Sequence, residues 1–262
     1  MEADIKMIVT DLDRTLLRPD GSVSAYSVGV LRECRRRGIL VAFATARSER
    51  SCSRFTDMIG PDAVVSNGGA LVRIGGVEIY RATLGVEVAE GLLRSMMPRS
   101  SVEYITVETD KGYLVNKHVD ETDPLWIEYL PAITTDFTQG LGCDAYKITV
   151  QISDDATAYE IASVFPTVAV TPFSGEGWYR FADINADKAH GVRALAAHTG
   201  VGMKNIAAFG DDFSDLHMIR ECGAGVAVEN AIREVKETAD YVCGSNDNDG
   251  VAKWIEQNIL AV

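Results

Sequence analysis

Two carboxylates stand directly after a short apolar segment near the N-terminus. In the segment 6–10, a lysine is followed by four apolar or β-branched residues, a pattern typical of a buried strand. Asp11 ends this segment, and Asp13 follows two residues later. A carboxylate can act as a nucleophile, as a general acid or base, or as a ligand for a hard metal ion. Taken alone, however, such a pair after a strand is more often a solvated turn than a site.

Other polar residues stand at comparable places later in the chain. Thr45 follows the apolar segment 39–44, and Lys188 begins a predicted helix directly after a strand. Three aspartates follow the strand that ends at Gly210, namely Asp211, Asp212 and Asp215. In open parallel sheets, ligands bind beyond the carboxyl ends of the strands, because loops and helix N-termini gather there. We therefore expect all of these side chains at one edge of one sheet.

This combination of residue types suits phosphoryl transfer, which asks a protein mainly for positioning and for cancellation of charge. A carboxylate that attacks a phosphate dianion is opposed by repulsion. Two unit charges ~4 Å apart cost about 4 kcal/mol at an effective dielectric constant near 20, or roughly three orders of magnitude in rate. A lysine and a hard cation remove that penalty. Mg²⁺ prefers oxygen ligands and is typically held by one or two carboxylates plus substrate phosphate, for which Asp11 and Asp211 are candidates.

Strand and helix patterns alternate around these residues. The first half of the chain predicts strands at 39–44 and 63–66, separated by helices at 24–38 and 48–59. Repeated βαβ units imply a parallel sheet with helices on both faces. The expected core is therefore a Rossmann-like α/β fold.

A different pattern occupies residues 82–185, where strands lie close together with fewer helices between them: 102–107, 113–115 and 146–152. The βαβ pattern then returns, with helices at 188–199, 213–221 and 251–259 and strands at 205–209, 225–228 and 241–243. We predict a discontinuous core formed by 1–81 and 186–262, interrupted by an inserted α+β domain at 82–185.

Composition narrows the choice of partners. The formal net charge of −13 over 262 residues disfavours nucleic acid and anionic membrane surfaces, so a phosphate substrate needs local positive charge. The five cysteines are scattered without a Cys-x-x-Cys pair, which favours reduced thiols in the cytoplasm. We find neither a signal-peptide pattern nor an apolar run long enough to cross a bilayer. The oligomeric state is left open.

Four motifs together resemble the haloacid dehalogenase-like superfamily and, within it, the Cof-type class IIB phosphatases. They are Asp-Leu-Asp-Arg-Thr-Leu at 11–16, Ala-Thr-Ala-Arg at 44–47, Asp-Lys-Ala-His-Gly at 187–191 and Gly-Asp-Asp-Phe-Ser-Asp at 210–215. The segments 67–69 and 249–251 also match family signatures. The resemblance covers the whole chain, and the insertion falls where the class IIB cap domain belongs.

The resemblance implies a role for each motif residue. Asp11 would be the nucleophile that forms an aspartyl-phosphate, and Asp13 would protonate the leaving group and then deprotonate water. Thr45 and Lys188 would bind the phosphoryl oxygens. The cap would close over the site, exclude water and select a small phosphorylated metabolite, with sugar phosphates as the first expectation.

The resemblance also implies Mg²⁺ as the cofactor. Its ligands would be Asp11, Asp211 and the backbone carbonyl of Asp13, with Asp215 orienting these ligands or joining them. The candidate substrate-binding residues are Thr45, Ala46, Arg47, Lys188, Asn67 and Ser214. Arg47 would either contact substrate or pair with a carboxylate of the cap, and residues 67–69 could also be simple turn residues before a hairpin centred on Gly75 and Gly76.

Three residues depart from the commonest family pattern. Arg14 and Ala46 stand where glycine is usual, and Ser214 replaces the usual asparagine. A hydroxyl offers fewer hydrogen bonds than an amide. Arg14 is the largest change, because a long cation beside the nucleophile could crowd the site or add a phosphate contact.

Several other classes fit less well. Receiver domains take their phosphorylated aspartate from a later strand and have no inserted domain. The chain lacks the Gly-x-x-x-x-Gly-Lys-Ser/Thr segment of P-loop enzymes, and Gly223-Ala224-Gly225 lacks the third glycine of a dinucleotide loop. Two alternatives stay open: a sugar phosphomutase of the same superfamily, and a noncatalytic phosphosugar-binding regulator in which Arg14 blocks turnover.

Overall fold

The structure is a computed structural model that describes residues 4–122, 130–174 and 177–261. It divides the chain into two compact units. Unit 1 comprises Met1–Arg81 together with Asp187–Val262, and unit 2 comprises Ala82–Ala186. The expected fold class, a Rossmann-like α/β core with an inserted α+β domain, is confirmed.

The described strands are, in chain order, β1 (Met7–Thr10), β2 (Leu40–Ala44), β3 (Ala63–Ser66), β4 (Leu71–Ile74), β5 (Val77–Arg81), β6 (Val102–Thr109), β7 (Gly112–Val115), β8 (Ala132–Thr134), β9 (Lys147–Ile152), β10 (Val168–Pro172), β11 (Trp178–Asp183), β12 (Ile206–Gly210), β13 (Ala224–Val228) and β14 (Tyr241–Cys243). The described α-helices are α1 (Ala25–Arg36), α2 (Glu49–Ile59), α3 (Val86–Met96), α4 (Asp155–Ser163), α5 (Lys188–Thr199), α6 (Leu216–Glu221), α7 (Arg233–Thr238) and α8 (Gly250–Ile255). None of the described helices has the length and apolar character that crossing a bilayer requires.

The sheet of unit 1 has the strand order β14-β13-β12-β1-β2-β3-β4-β5. The first six of these strands are parallel, and β4 and β5 add an antiparallel hairpin at one edge. In the register of the sheet, Thr10 lies beside Phe43 of β2 and beside Phe209 of β12. The carboxyl ends of these three central strands therefore lie side by side.

Both faces of this sheet are covered, as repeated βαβ units require. Ile8 of β1 belongs to the apolar cluster that includes Leu31 of α1 and Phe55 of α2. Its neighbour Val9 belongs to a second cluster that includes Leu195 of α5. Successive side chains of a strand point to opposite faces, so the continuous apolar sequence of β1 follows from its burial on both sides.

Local sequence signals set several helix ends. The side chains of Ser24 and Ser48 accept hydrogen bonds from the backbone N–H groups of Ser27 and Ser51, and so cap α1 and α2. Gly60 ends α2 in a left-handed conformation. The helix predicted at 213–221 is shorter than expected, because residues 213–215 form a separate tight turn before α6.

Unit 2 has a six-stranded sheet in the order β10-β11-β9-β6-β7-β8. All neighbours are antiparallel except β7 and β8, which are parallel. The helices α3 and α4 pack on one face, where Leu92 and Ile161 join Ile148 and Phe181 in one apolar cluster. The sequence reading missed both helices, although the apolar spacing of Ala89, Leu92, Leu93 and Met96 in α3 has helical period.

Candidate active site

The three central strands of unit 1 deliver their polar residues to one edge. The backbone N–H of Asp11 still donates to the carbonyl of Phe209, with a nitrogen-to-oxygen distance of 3.0 Å, and that of Thr45 donates to Val65 at 2.9 Å. Asp11, Thr45 and Asp211 are all buried. The side chains that the sequence placed after these strands therefore lie where the parallel sheet predicts.

Lys188 is the cation of this edge and is 1% exposed. Its Nζ lies 2.9 Å from Asp11 Oδ1 and 2.7 Å from Asp215 Oδ1. Burial by itself lowers the pKa of the Lys188 ammonium, but attraction to Asp11 and Asp215 outweighs burial and raises the pKa above its ordinary value. Lys188 is thus held charged between two carboxylates.

We expected Lys188 to reach this edge because a strand of the same sheet precedes its helix, and that reason is wrong. The preceding strand is β11, which belongs to the sheet of unit 2 and not to the sheet that carries Asp11. The start of α5 is instead fixed within unit 1. Asp187 caps this helix by accepting from the backbone N–H of His190, and a Cβ added to Gly69 would lie 2.0 Å from the carbonyl oxygen of Asp187.

Residues 67–69 are therefore more than turn residues before a hairpin, although the hairpin at Gly75 and Gly76 is present. The backbone N–H of Asn67 donates to Arg47, and that of Gly68 donates to Thr45, each at 2.8 Å. The segment ties the loop after β2 to the beginning of α5. Among the described residues, Asn67 Oδ1 is buried without a hydrogen-bond partner.

The acidic loop after β12 is organised by Asp215. Its Oδ2 accepts from the backbone N–H groups of Asp211 and Asp212 at 3.0 and 3.1 Å. Thr15 Oγ1 donates to Asp211 Oδ1 at 2.9 Å, which joins the first motif to this loop. Burial, followed by repulsion from Asp215, raises the pKa of Asp211 to about 7.

Three buried carboxylates can offer oxygen ligands to one metal ion. Asp11, Asp211 and Asp215 each place one oxygen within 4.8 Å of the others. Burial, with repulsion from Asp215 and Asp211, raises the pKa of Asp11 well above its ordinary value despite the attraction of Lys188. Three carboxylates beside one ammonium leave an excess of buried negative charge, which a hard divalent cation would neutralise. Because both oxygens of Asp215 already accept hydrogen bonds, Asp11 and Asp211 fit direct ligation better.

Asp13 does not pair with Lys188 but forms a two-pronged ion pair with Arg47. Arg47 Nε and Nη2 lie 2.7 and 2.6 Å from the two oxygens of Asp13. The backbone N–H of Arg47 also donates to Thr45 Oγ1 at 3.1 Å. The carboxylate that Arg47 binds here thus comes from the first motif of unit 1, which differs from both roles expected for Arg47.

The three residues that depart from the expected family pattern also lie in the loops of this edge. Arg14 has a φ of 57°, a conformation that favours glycine, which is the residue that the expected family pattern has at this position. Its Nε lies 3.7 Å from Asp211 Oδ2. Ala46 and Ser214 are half-buried in the loops after β2 and β12. Three residues with structural roles at the site lie in the quoted motifs and segments but were given no role of their own: Thr15, Gly69 and Asp187. Of these, Asp187 carried a readable signal as a helix cap.

The fold places the chain among Rossmann-like α/β proteins with an inserted domain. The sequence profile of the haloacid dehalogenase-like hydrolases matches residues 8–255, so the chain belongs to this family. The expected membership of the haloacid dehalogenase-like superfamily is confirmed.

Several relatives and solved structures match nearly the whole chain. The 5-amino-6-(5-phospho-D-ribitylamino)uracil phosphatase YcsE of Bacillus subtilis is 28% identical, covering 99% of this chain and 98% of the relative. YwtE of the same organism, which has the same descriptive name, is 27% identical over 97% and 98%. The structure of SMU.1108c from Streptococcus mutans aligns with a TM-score of 0.87 at 22% identity, covering 98% and 100%. The class IIB sugar phosphatase BT4131 aligns with a TM-score of 0.83 at 21% identity, covering 96% and 98%.

Proposed function

We propose that this chain is a magnesium-dependent phosphatase that hydrolyses a small phosphorylated metabolite through an aspartyl-phosphate. The observation that carries the proposal is the contact of one buried ammonium, Lys188, with both Asp11 and Asp215 at the edge where Asp211 also lies. A carboxylate, a fixed cation and a set of oxygen ligands are the parts that phosphoryl transfer to a protein requires. Membership of a hydrolase family supports the same chemistry.

In the first step, a carboxylate oxygen of Asp11 attacks the phosphorus of the substrate. An acyl-phosphate bond forms at Asp11, and the bond between phosphorus and the leaving oxygen breaks. Asp13 gives its proton to that oxygen, so the product leaves as an alcohol. Lys188 and the hydroxyl of Thr45 hold the phosphoryl oxygens during the transfer.

In the second step, Asp13 takes a proton from water, and the oxygen of that water attacks the phosphorus of the aspartyl-phosphate. The acyl-phosphate bond breaks, which releases inorganic phosphate and restores Asp11. Asp13 must leave its ion pair with Arg47 to perform either transfer, and Arg47 is then available to a phosphate or another anionic group of the substrate.

Asp11, Asp211 and the backbone carbonyl of Asp13 would hold the Mg²⁺, with Asp215 fixing the loop that carries Asp211. When bound, Mg²⁺ neutralises charge on the transferred phosphate and orients it toward the nucleophile. The buried excess of carboxylates supports this assignment, because without a cation the charged forms of Asp11 and Asp211 are disfavoured.

The two units suggest a division of labour. All of the residues given a chemical role belong to unit 1, so we assign 1–81 with 186–262 as the catalytic core and 82–185 as a cap that selects the substrate. Sugar phosphates are the first class to test. Several relatives are named as 5-amino-6-(5-phospho-D-ribitylamino)uracil phosphatases, which makes that sugar-alcohol phosphate the specific candidate.

The test is phosphate release by purified protein with and without Mg²⁺. The substrates would be sugar phosphates, the ribitylaminouracil phosphate, nucleotides, flavin mononucleotide and pyridoxal phosphate. Asp11→Asn should lower the rate by several orders of magnitude, because an amide is a poor nucleophile, while circular dichroism shows an intact fold. Retained activity in this variant would refute the mechanism. Isomer interconversion without phosphate release would instead indicate a phosphomutase, and binding without any turnover would indicate a regulator.

A further inference from the structure

Arg14 places a positive charge beside a proposed metal ligand. Its Nε lies 3.7 Å from Asp211 Oδ2, and its side chain is 52% exposed whereas that of Asp211 is 3% exposed. The other oxygen of Asp211 accepts from Thr15. The guanidinium thus approaches the oxygen of Asp211 that Thr15 does not bind.

The backbone holds Arg14 in this position. Its φ of 57° lies in the left-handed region, and its carbonyl oxygen accepts a hydrogen bond of 2.7 Å from Asn230 Nδ2. The residues on either side are also held: the side chain of Asp13 by Arg47 and that of Thr15 by its hydrogen bond to Asp211. The start of the Arg14 side chain is therefore fixed next to the site even though its end is half-exposed.

The formal charges of the side chains around the proposed metal position show what Arg14 adds. Asp11, Asp211 and Asp215 carry three negative charges when ionised, and Lys188 returns one, which leaves two for a divalent cation to neutralise. Arg14 supplies one further positive charge to this group, at the carboxylate that would ligate the metal. Like charges in such proximity oppose each other, and a guanidinium and a metal ion both seek the same carboxylate lone pairs.

We propose that Arg14 sets the metal affinity of the site, because its guanidinium competes with the divalent cation for Asp211. This inference rests on the proposed magnesium site. Arg14 acts through Asp211 and is not a catalytic residue. It makes the site bind Mg²⁺ more weakly than the same carboxylates would with a neutral residue at position 14.

The effect should be moderate. Half-exposed charges are screened by water and salt, and exposed ion pairs contribute little. We therefore expect removal of the Arg14 charge to tighten Mg²⁺ binding about threefold to fivefold, which is the upper part of the range for screened charge pairs. The gain should shrink as the concentration of potassium chloride is raised.

Isothermal titration calorimetry of the full chain with Mg²⁺ alone tests the proposal without any turnover. Arg14→Gln removes the charge but keeps a long side chain at the same left-handed position, so the backbone cost is matched. Arg14→Lys keeps the charge and is the control. We expect a lower dissociation constant for Arg14→Gln and a value within about twofold of the original for Arg14→Lys, because the lysine keeps the charge. The small remaining difference reflects the poorer match of a flexible ammonium to a carboxylate.

Asp211→Asn separates this inference from the proposed function. If the original protein and Arg14→Gln both bind no Mg²⁺, the metal site fails and the inference fails with it. If Mg²⁺ binds and Asp211→Asn abolishes binding, the metal site stands. An unchanged or weaker affinity in Arg14→Gln would then overturn the role of Arg14 alone. Weaker binding of orthovanadate in Arg14→Gln, with an unchanged affinity for Mg²⁺, would show that Arg14 serves the phosphate instead.

Discussion

At the scale of single residues, Lys188 joins the two halves of the proposed chemistry. It contacts Asp11, the proposed nucleophile, and also Asp215, the residue that organises the acidic loop. A fully buried ammonium is costly unless its charge is compensated. Lys188 and the two carboxylates compensate each other's buried charge, although the carboxylates repel each other.

Replacement of Lys188 by methionine should leave Asp11 and Asp215 buried without their cation. We expect the free energy of unfolding to fall by about 3–5 kcal/mol, as for other broken buried ion pairs. Urea denaturation in the absence of Mg²⁺ measures this change. The double variant Lys188→Met with Asp215→Asn should lose less than the sum of the two single variants, because it removes one of the stranded charges. Full stability of Lys188→Met would contradict the ion-pair account.

At the scale of elements, the placement of α5 depends on the backbone of residues 67–69. Gly69 has a φ of 103°, and a Cβ there would overlap the carbonyl of Asp187, the residue before Lys188. The contact is with backbone, so no side-chain rotation can relieve it. Gly76 has a similar φ of 82°, but a Cβ added there would meet no other heavy atom within 4 Å.

These two glycines give a matched pair of variants. Gly76→Ala should cost only the strain of a left-handed alanine, about 1–2 kcal/mol. Gly69→Ala carries the same strain and must also displace the start of α5, so its loss of stability should be at least twice as large. It should also lower phosphate release because Lys188 moves. Chemical denaturation and the phosphatase assay measure the two effects, and equal losses in both variants would refute this role of Gly69.

The strand β6 in unit 2 carries a buried acidic side chain, Glu108. Glu108 of β6 lies 3.5 Å from the ammonium of Lys147 on the neighbouring strand β9, and both side chains are buried. Burial raises the pKa of Glu108 above its ordinary value, because it outweighs the attraction of Lys147 and Arg180. The folded state then binds a proton more strongly than the unfolded chain does, so stability should fall as the pH rises above the unfolded value near 4.5.

The variant Glu108→Gln cannot ionise at this position, so it should not lose this stability as the pH rises. Its melting temperature relative to the original protein should therefore increase as the pH is raised from 5 toward 8, as measured by thermal denaturation in a pH series. Glu103 is an exposed residue near the start of the same strand, and the variant Glu103→Gln controls for the loss of a negative charge. A relative melting temperature that decreases with pH would mean that the ion pair with Lys147 outweighs burial.

At the scale of the whole molecule, an acidic chain concentrates positive charge where the proposed chemistry needs it. The formal net charge is −13, yet Arg14, Arg47 and Lys188 all contact aspartates of the motifs at the carboxyl edge of the unit 1 sheet. The aspartates at this edge outnumber these three cations, so the proposed Mg²⁺ would supply the remaining positive charge that a phosphate substrate needs.

Because the proposed metal ligands all belong to unit 1, Mg²⁺ should protect that unit selectively. A concentration ten times the dissociation constant should stabilise the bound state by about 1.4 kcal/mol. Hydrogen exchange followed by mass spectrometry should show slower exchange at short times around residues 7–15, 187–190 and 206–215. Peptides from 82–186 should exchange at an unchanged rate. Equal protection of both units would contradict a metal site confined to unit 1.

The sequence by itself determined the ends of the central strands and the residues that follow them. Period and turn signals are local, so β1, β2 and β12 could be predicted, and the common edge of a parallel sheet brought Asp11, Thr45 and Asp211 together. Helix caps such as Ser24 and Ser48 were also readable, because each is satisfied within one turn of its own helix. The inserted α+β domain was evident from the change in pattern, but α3 and α4 were not.

Only the tertiary structure decided how the remaining groups meet. The contact of Thr15 with Asp211 spans 196 residues, and Lys188 reaches Asp11 because Gly69 lets α5 approach, not because a core strand precedes it. The direction of Arg14 toward Asp211 and the pairing of Asp13 with Arg47 likewise depend on contacts between loops of different strands. Such contacts are fixed by packing across the whole sheet, whereas sequence periodicity reports only on the segment that carries it.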